Sequence, residues 1–112
     1  MQQLTLVPRL MPVVRRGKKT STVRWQEGEI VTGPLTLVNQ QDEADTVIVW
    51  VTQIETLRLN EVAARLGKAA EWPDAKLLQG MREHYPAIRL DSEVQLITHL
   101  TPAETRLKRT ER

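Results

Sequence analysis

Short runs rich in β-branched and apolar residues, separated by glycine and proline, set the pattern along most of the chain, and helical spacing shows only ahead of the last such run. Residues 3–7 form the first β-prone run. Pro8 and Pro12 then bracket a turn or short helix that ends at Gly17, whose missing Cβ suits a helix C-terminus. Residues 19–25 predict a strand, and Glu27-Gly28-Glu29 makes a turn before the apolar pair Ile30 and Val31. After Gly33-Pro34, residues 35–38 predict another strand, closed by a polar loop over 39–45. Residues 46–59 carry the strongest strand signal.

Asn60 is the expected N-cap of a short helix over 61–66, which Gly67 stops. Pro73 opens a second helix, in which Leu77, Leu78, Met81 and Tyr85 approximate an apolar stripe read as core, and Pro86 ends it. Residues 93–100 predict a last strand with Val94, Leu96, Thr98 and Leu100 on one side. Beyond Thr101-Pro102 the chain is read as untethered, so the expected organisation is one domain over 1–103 and a disordered basic tail over 104–112. This order has no βαβ alternation and no internal repeat. It predicts an α+β domain around a mostly antiparallel, barrel-like sheet.

Composition narrows the chemistry. The 112 residues include no Phe, one Tyr and three Trp, so the core is aliphatic and stacking platforms are scarce. Cysteine is absent, which excludes disulfides, thiolate metal sites and cysteine nucleophiles; a nucleophile must carry oxygen or nitrogen. No apolar run approaches the ~18 residues of a membrane span, and the first residues lack signal-peptide features, so a cytoplasmic protein without a membrane partner is expected. The formal charge of +2 equals the balance of residues 104–112, where Arg106, Lys108, Arg109 and Arg112 face Glu104 and Glu111. Within the near-neutral body, Arg9, Arg15, Arg16, Lys18, Lys19 and Arg24 fall in one stretch without an acid. Such a stretch is either a solvated basic face or an anion-binding one.

In a regular strand Thr20, Thr22 and Arg24 share a face. The hydroxyls either fill a half-polar face by shape alone or, with Lys18 and Lys19 at the strand entrance, combine a nucleophile, a base and an anion-binding fork. A threonine hydroxyl needs a base, and a lysine serves only if its pKa falls from about 10.4 through burial or cationic neighbours, here Arg16, Lys18 and Arg24. Arg24, Lys18 or amides near Gly17 would stabilise an oxyanion, and a carboxylate such as Glu71 would orient the lysine or pass a proton. Lys19 and Thr22 are three apart, so joint action requires Lys19 in the turn before the strand, or a bulge between them.

Gly17-Lys18-Lys19-Thr20-Ser21-Thr22-Val23-Arg24, followed by Gly28-Glu29-Ile30-Val31, resembles the Gly-x-Lys-Thr-x-Thr-x-Arg and Gly-Asp-x-Val signature of ASCH domains. The likeness is greatest to the small bacterial N4-acetylcytidine amidohydrolases, which are similar in length and element order, including a helical insert ending in Tyr-Pro, here Tyr85-Pro86. It spans residues 4–100, with close identity confined to 17–24. The resemblance implies a PUA-like β-barrel with short flanking helices. It also implies removal of an acyl group from the exocyclic amine of cytidine by a threonine, a lysine and a glutamate, without metal or other cofactor. Carried over, the nucleophile is Thr22 and the lysine is Lys19. The glutamate is Glu71, displaced by about one position, with Glu61 as the second choice. Arg24, Lys18, Thr20 and Trp72 are the expected substrate-binding residues of a monomeric enzyme acting on a nucleoside. The alternatives are a non-catalytic RNA-binding ASCH module, or a ribonuclease using the same basic cleft.

Other features carry less. His84 and His99 have no second ligand at metal-binding spacing and are read as ordinary partly buried side chains. Gly17-Lys18-Lys19-Thr20 lacks the upstream glycine and following helix of a phosphate-binding loop. Of the three tryptophans, Trp72 is the candidate base-stacking residue because it adjoins Glu71; Trp25 and Trp50 are assigned to packing.

Overall fold

The first strand, β1 (Gln3–Leu6), buries Leu4 and Leu6 on one face and stops before Pro8, whose nitrogen has no hydrogen to give a ladder. A 3-10 turn (Pro8–Leu10) leads into α1 (Met11–Arg15), which buries Met11 and Val14. The computed structural model describes residues 1–110. The remaining elements are β2 (Ser21–Arg24), β3 (Gly33–Asn39), β4 (Asp42–Arg58), α2 (Leu59–Arg65), α3 (Asp74–Arg82), β5 (Glu93–His99) and α4 (Pro102–Thr110). The five strands form one mixed sheet in the order β1-β3-β4-β5-β2, with β1 parallel to β3 and β3 antiparallel to β4. No helix among the described residues is long and apolar enough to cross a membrane.

The chain divides into two compact units. The first comprises Met1–Thr22, Glu29–Ile54 and the residues from Ile97 onward. Its aliphatic core joins Leu4, Leu6, Met11, Val14, Ile30, Leu35, Leu37, Val49, Val51 and Ile97, and each fully buried Leu, Ile or Val contributes roughly 1.5–3 kcal/mol. Leu35 pairs with Val49 and Leu37 with Val47 across the β3–β4 ladder, so inward residues meet at period two. The segment 39–45, expected as a loop, is mostly strand. β4 begins at Asp42, because the turn needs only Gln40 and Gln41 and the Asn39 side chain accepts the Gln41 N–H at 2.8 Å.

The second unit, Val23–Gly28 and Glu55–Leu96, packs around Leu59, Val62, Ile88, Val94 and Leu96. Leu77, Leu78, Met81 and Tyr85 lie against this core, as the helical stripe predicts. α2 starts at Leu59 rather than after Asn60: Leu59 is fully buried, and Glu61 accepts the Arg58 N–H at 2.9 Å, capping the helix two residues early. β5 departs from simple alternation. Val94 and Leu96 enter the second core, Ile97 enters the first, and His99 is buried instead of Thr98 and Leu100.

The expected disordered tail is corrected over 104–110. Thr101 and Glu104 form a reciprocal cap, with the Thr101 N–H on Glu104 Oε1 at 2.9 Å and the Glu104 N–H on Thr101 Oγ1 at 3.1 Å. Pro102 occupies the first turn of α4, and Thr105 is buried with its hydroxyl on the Thr101 carbonyl at 2.8 Å. Glu111 and Arg112, the end of that expected tail, lie outside the described residues.

Candidate functional site

α1 ends at Gly17, which takes φ 73°, with the Gly17 N–H on the Val14 carbonyl at 2.9 Å and the Lys18 N–H on the Val13 carbonyl at 3.0 Å. A Cβ at Gly17 would sit 3.0 Å from Thr101 Cγ2, so the turn admits glycine for both conformation and space. It delivers Lys18 to the surface and Lys19 to a half-buried position. Lys19 lies in the connection before β2, which starts at Ser21, and this meets the geometric condition for acting beside Thr22. Its Nζ donates to the Ser21 carbonyl at 2.6 Å.

Along β2, Ser21 and Val23 are half-buried, while Thr22 and Arg24 are buried, at 6% and 9% exposure. The strand period thus turns the hydroxyl and the guanidinium to one face. Thr20 precedes the strand and is exposed; its carbonyl accepts the His99 N–H at 2.9 Å. His99 is only 3% exposed. Its Nδ1 is 2.8 Å from the Leu100 carbonyl, so Nδ1 carries the proton and donates, leaving Nε2 as an acceptor. That Nε2 is buried and has no hydrogen-bond partner among the described residues. Burial holds the ring below its ordinary pKa of 6.5; the Leu100 carbonyl opposes the shift and the Lys19 charge adds to it.

In the second unit, Arg24 Nη1 is 3.2 Å from Glu27 Oε2, and the Tyr85 hydroxyl donates to the same oxygen at 2.8 Å. Gln26 at φ 56° and Gly28 at φ 77° make the tight turn that brings Glu27 back onto Arg24. Trp25 and Tyr85 meet edge to face, with centroids 6.0 Å apart. Burial first, and the Glu27 hydrogen bond second, push the Tyr85 pKa from 10.0 to about 12. From the sequence, Glu27 was a turn residue and Tyr85 a core one. Two signals point to this group: opposite charges three residues apart, and a half-buried phenol that requires an acceptor.

Glu71 is exposed, and its carboxylate makes no hydrogen bond or ion pair among the described residues. Its neighbour Trp72 is half-buried, with Lys68 Nζ 4.8 Å from the ring centroid. Glu61, the second choice, is engaged as the α2 cap. His84 is exposed. Among the described residues, no group of three His, Cys, Asp or Glu is placed to hold a metal ion. An open groove of about 380 Å³ in the second unit is lined by Asn60, Leu78, Arg82, Arg89, Leu90 and Asp91, none of them a predicted site residue.

No protein-family model matches the sequence, and comparison with curated proteins finds no match. Solved structures do match. The ASCH protein of Zymomonas mobilis is 13% identical with a TM-score of 0.63, covering 87% of this chain and 64% of its own, so the chain spans a little under two thirds of that protein. The ASCH domain of Lactobacillus crispatus JV V101 is 20% identical with a TM-score of 0.56, covering 84% and 70%. Protein EF3133 of Enterococcus faecalis V583, from family DUF984, is 16% identical with a TM-score of 0.58, covering 82% and 69%. With the mixed five-stranded sheet and its four helices, these likenesses identify the fold of the chain as the PUA-like α+β fold of ASCH domains.

Proposed function

We propose that this protein is an amidohydrolase that removes the acyl group from N4-acetylcytidine or related N4-acylated cytosine nucleosides. The observation that carries the reading is the placement of Lys19, half-buried in the connection before β2 with its Nζ on the Ser21 carbonyl, and of Thr22, buried in β2 one residue after that carbonyl. The Lys-Thr-x-Thr-x-Arg motif on an ASCH fold supports it.

In this reading Thr22 Oγ1 attacks the acyl carbonyl as Lys19, in its neutral form, takes the hydroxyl proton. Arg24, Lys18 and amides of the Gly17 turn donate to the tetrahedral oxyanion. The C–N bond breaks, the exocyclic nitrogen receives the proton from Lys19, and Glu71 assists that transfer. Water then hydrolyses the acyl ester on Thr22, releasing the carboxylic acid and restoring the hydroxyl. Thr20 and Trp72 complete the contacts to the nucleoside, and no metal takes part.

The test is release of cytidine from N4-acetylcytidine by wild type, Thr22→Ala and Lys19→Ala, followed by chromatography with a chelator present. Wild type turns over, and each variant loses about a hundred-fold or more. Absence of turnover by wild type overturns the reading. Because the substrate is uncharged, the rate changes little with salt; a steep decline would instead mark a ligand held through its phosphates.

A further inference from the structure

His99 is a buried imidazole with a defined tautomer and an unmet lone pair. The Leu100 carbonyl, 2.8 Å from Nδ1, assigns the proton to that nitrogen, and Nε2 is left as an acceptor without a partner among the described residues. A buried acceptor without a donor costs about 1–3 kcal/mol, so its retention calls for a role. The backbone ties it to the candidate site, since the His99 N–H donates to the carbonyl of Thr20, next to Lys19. The charged group acting on the ring is Lys19. Around it, Trp50 and Thr52 of β4 bond Leu100 and Thr98 and are uncharged; Glu93 stands at the exposed start of β5, and Glu104 of α4 is turned onto the Thr101 amide.

We infer that His99 is a positioning residue for Lys19, its Nε2 lone pair accepting an N–H of the lysine when Nζ leaves the Ser21 carbonyl to act on Thr22. This role rests on the proposed amidohydrolase reading. A neutral ring orients the lysine through its Nε2 lone pair; a protonated ring has no lone pair to offer. Activity therefore falls on the acid side as His99 takes up a proton, below its ordinary pKa of 6.5.

Two measurements decide it. Carbon-13 and proton NMR titration of His99, in wild type and Lys19→Met, follows the coupling without reference to activity. The His99 midpoint rises in Lys19→Met; an unmoved His99 overturns the inference. Hydrolysis of N4-acetylcytidine by His99→Phe and His99→Gln follows the role. The Phe variant loses about ten- to a hundred-fold in kcat with KM little changed, and the Gln variant, which keeps an acceptor, recovers most of kcat. A Phe variant with wild-type kcat overturns the inference. If wild type itself is inactive, the amidohydrolase reading fails, and the NMR result alone decides whether His99 and Lys19 are coupled.

Discussion

Tyr85 donates its hydroxyl to Glu27 Oε2 at 2.8 Å, and the same oxygen lies 3.2 Å from Arg24 Nη1. One carboxylate oxygen thus joins a phenol from the end of the helical insert to the guanidinium of the basic motif. Glu27 and Tyr85 are 58 residues apart, so only the folded chain makes this group.

The single tyrosine makes that group measurable. Alkaline ultraviolet titration of tyrosinate is expected to show a midpoint near 12, and Glu27→Gln lowers it toward 10.0. Because the folded pKa is raised, the Tyr85 contribution to stability is complete below 10 and is lost as pH rises toward 12. Tyr85→Phe removes that alkaline loss. A wild-type midpoint at the ordinary value would sink the prediction.

Gly17→Ala forces a side chain into φ 73° and against Thr101. The expected cost is about 1–2 kcal/mol, read by denaturant unfolding, with an unchanged m-value. An Ala variant as stable as wild type would show that this turn relaxes freely.

Thr101→Ala removes the side-chain oxygen that accepts the Glu104 N–H and lowers stability by roughly 1 kcal/mol. Truncation after Pro102 also removes buried Thr105 and destabilises the first unit further, visible as a lower melting temperature. Glu104 is held below its ordinary pKa by its bonds to Thr101, so the cap weakens as pH falls through the range in which that carboxylate is protonated. Equal melting temperatures for the truncated and full chains would refute this account of α4.

Glu71 and Glu27 separate kinetically under the proposed function. Glu71→Gln is expected to lower kcat by about a hundred-fold with KM little changed, as for loss of a proton-transfer group. Glu27→Gln removes the Arg24–Glu27 ion pair and raises KM more than it lowers kcat. The reverse pattern in steady-state kinetics would exchange their roles.

Much of the local framework was legible in the residues. Alternation put Thr22 with Arg24, and it held in the structure because the strand period is a property of the backbone itself. The Gly17 turn and the stripe of Leu77, Leu78, Met81 and Tyr85 were readable for the same reason. The Thr101–Glu104 cap has the threonine-x-x-glutamate form and was equally present in the sequence; reading the basic end of the chain by its charge concealed it.

The polar partnerships were a different matter. That Glu27 serves Arg24 and Tyr85, that Glu71 stands exposed, and that His99 is buried within the field of Lys19 all depend on residues far apart in the chain. So does the break in alternation between Leu96 and Ile97, where one strand supplies two different cores. The sequence by itself determined which side chains share a strand face or a helix stripe, because those periods are set within a few residues. Only the tertiary structure decided which polar groups lose water and what they meet instead, because desolvation is set by distant segments packing together.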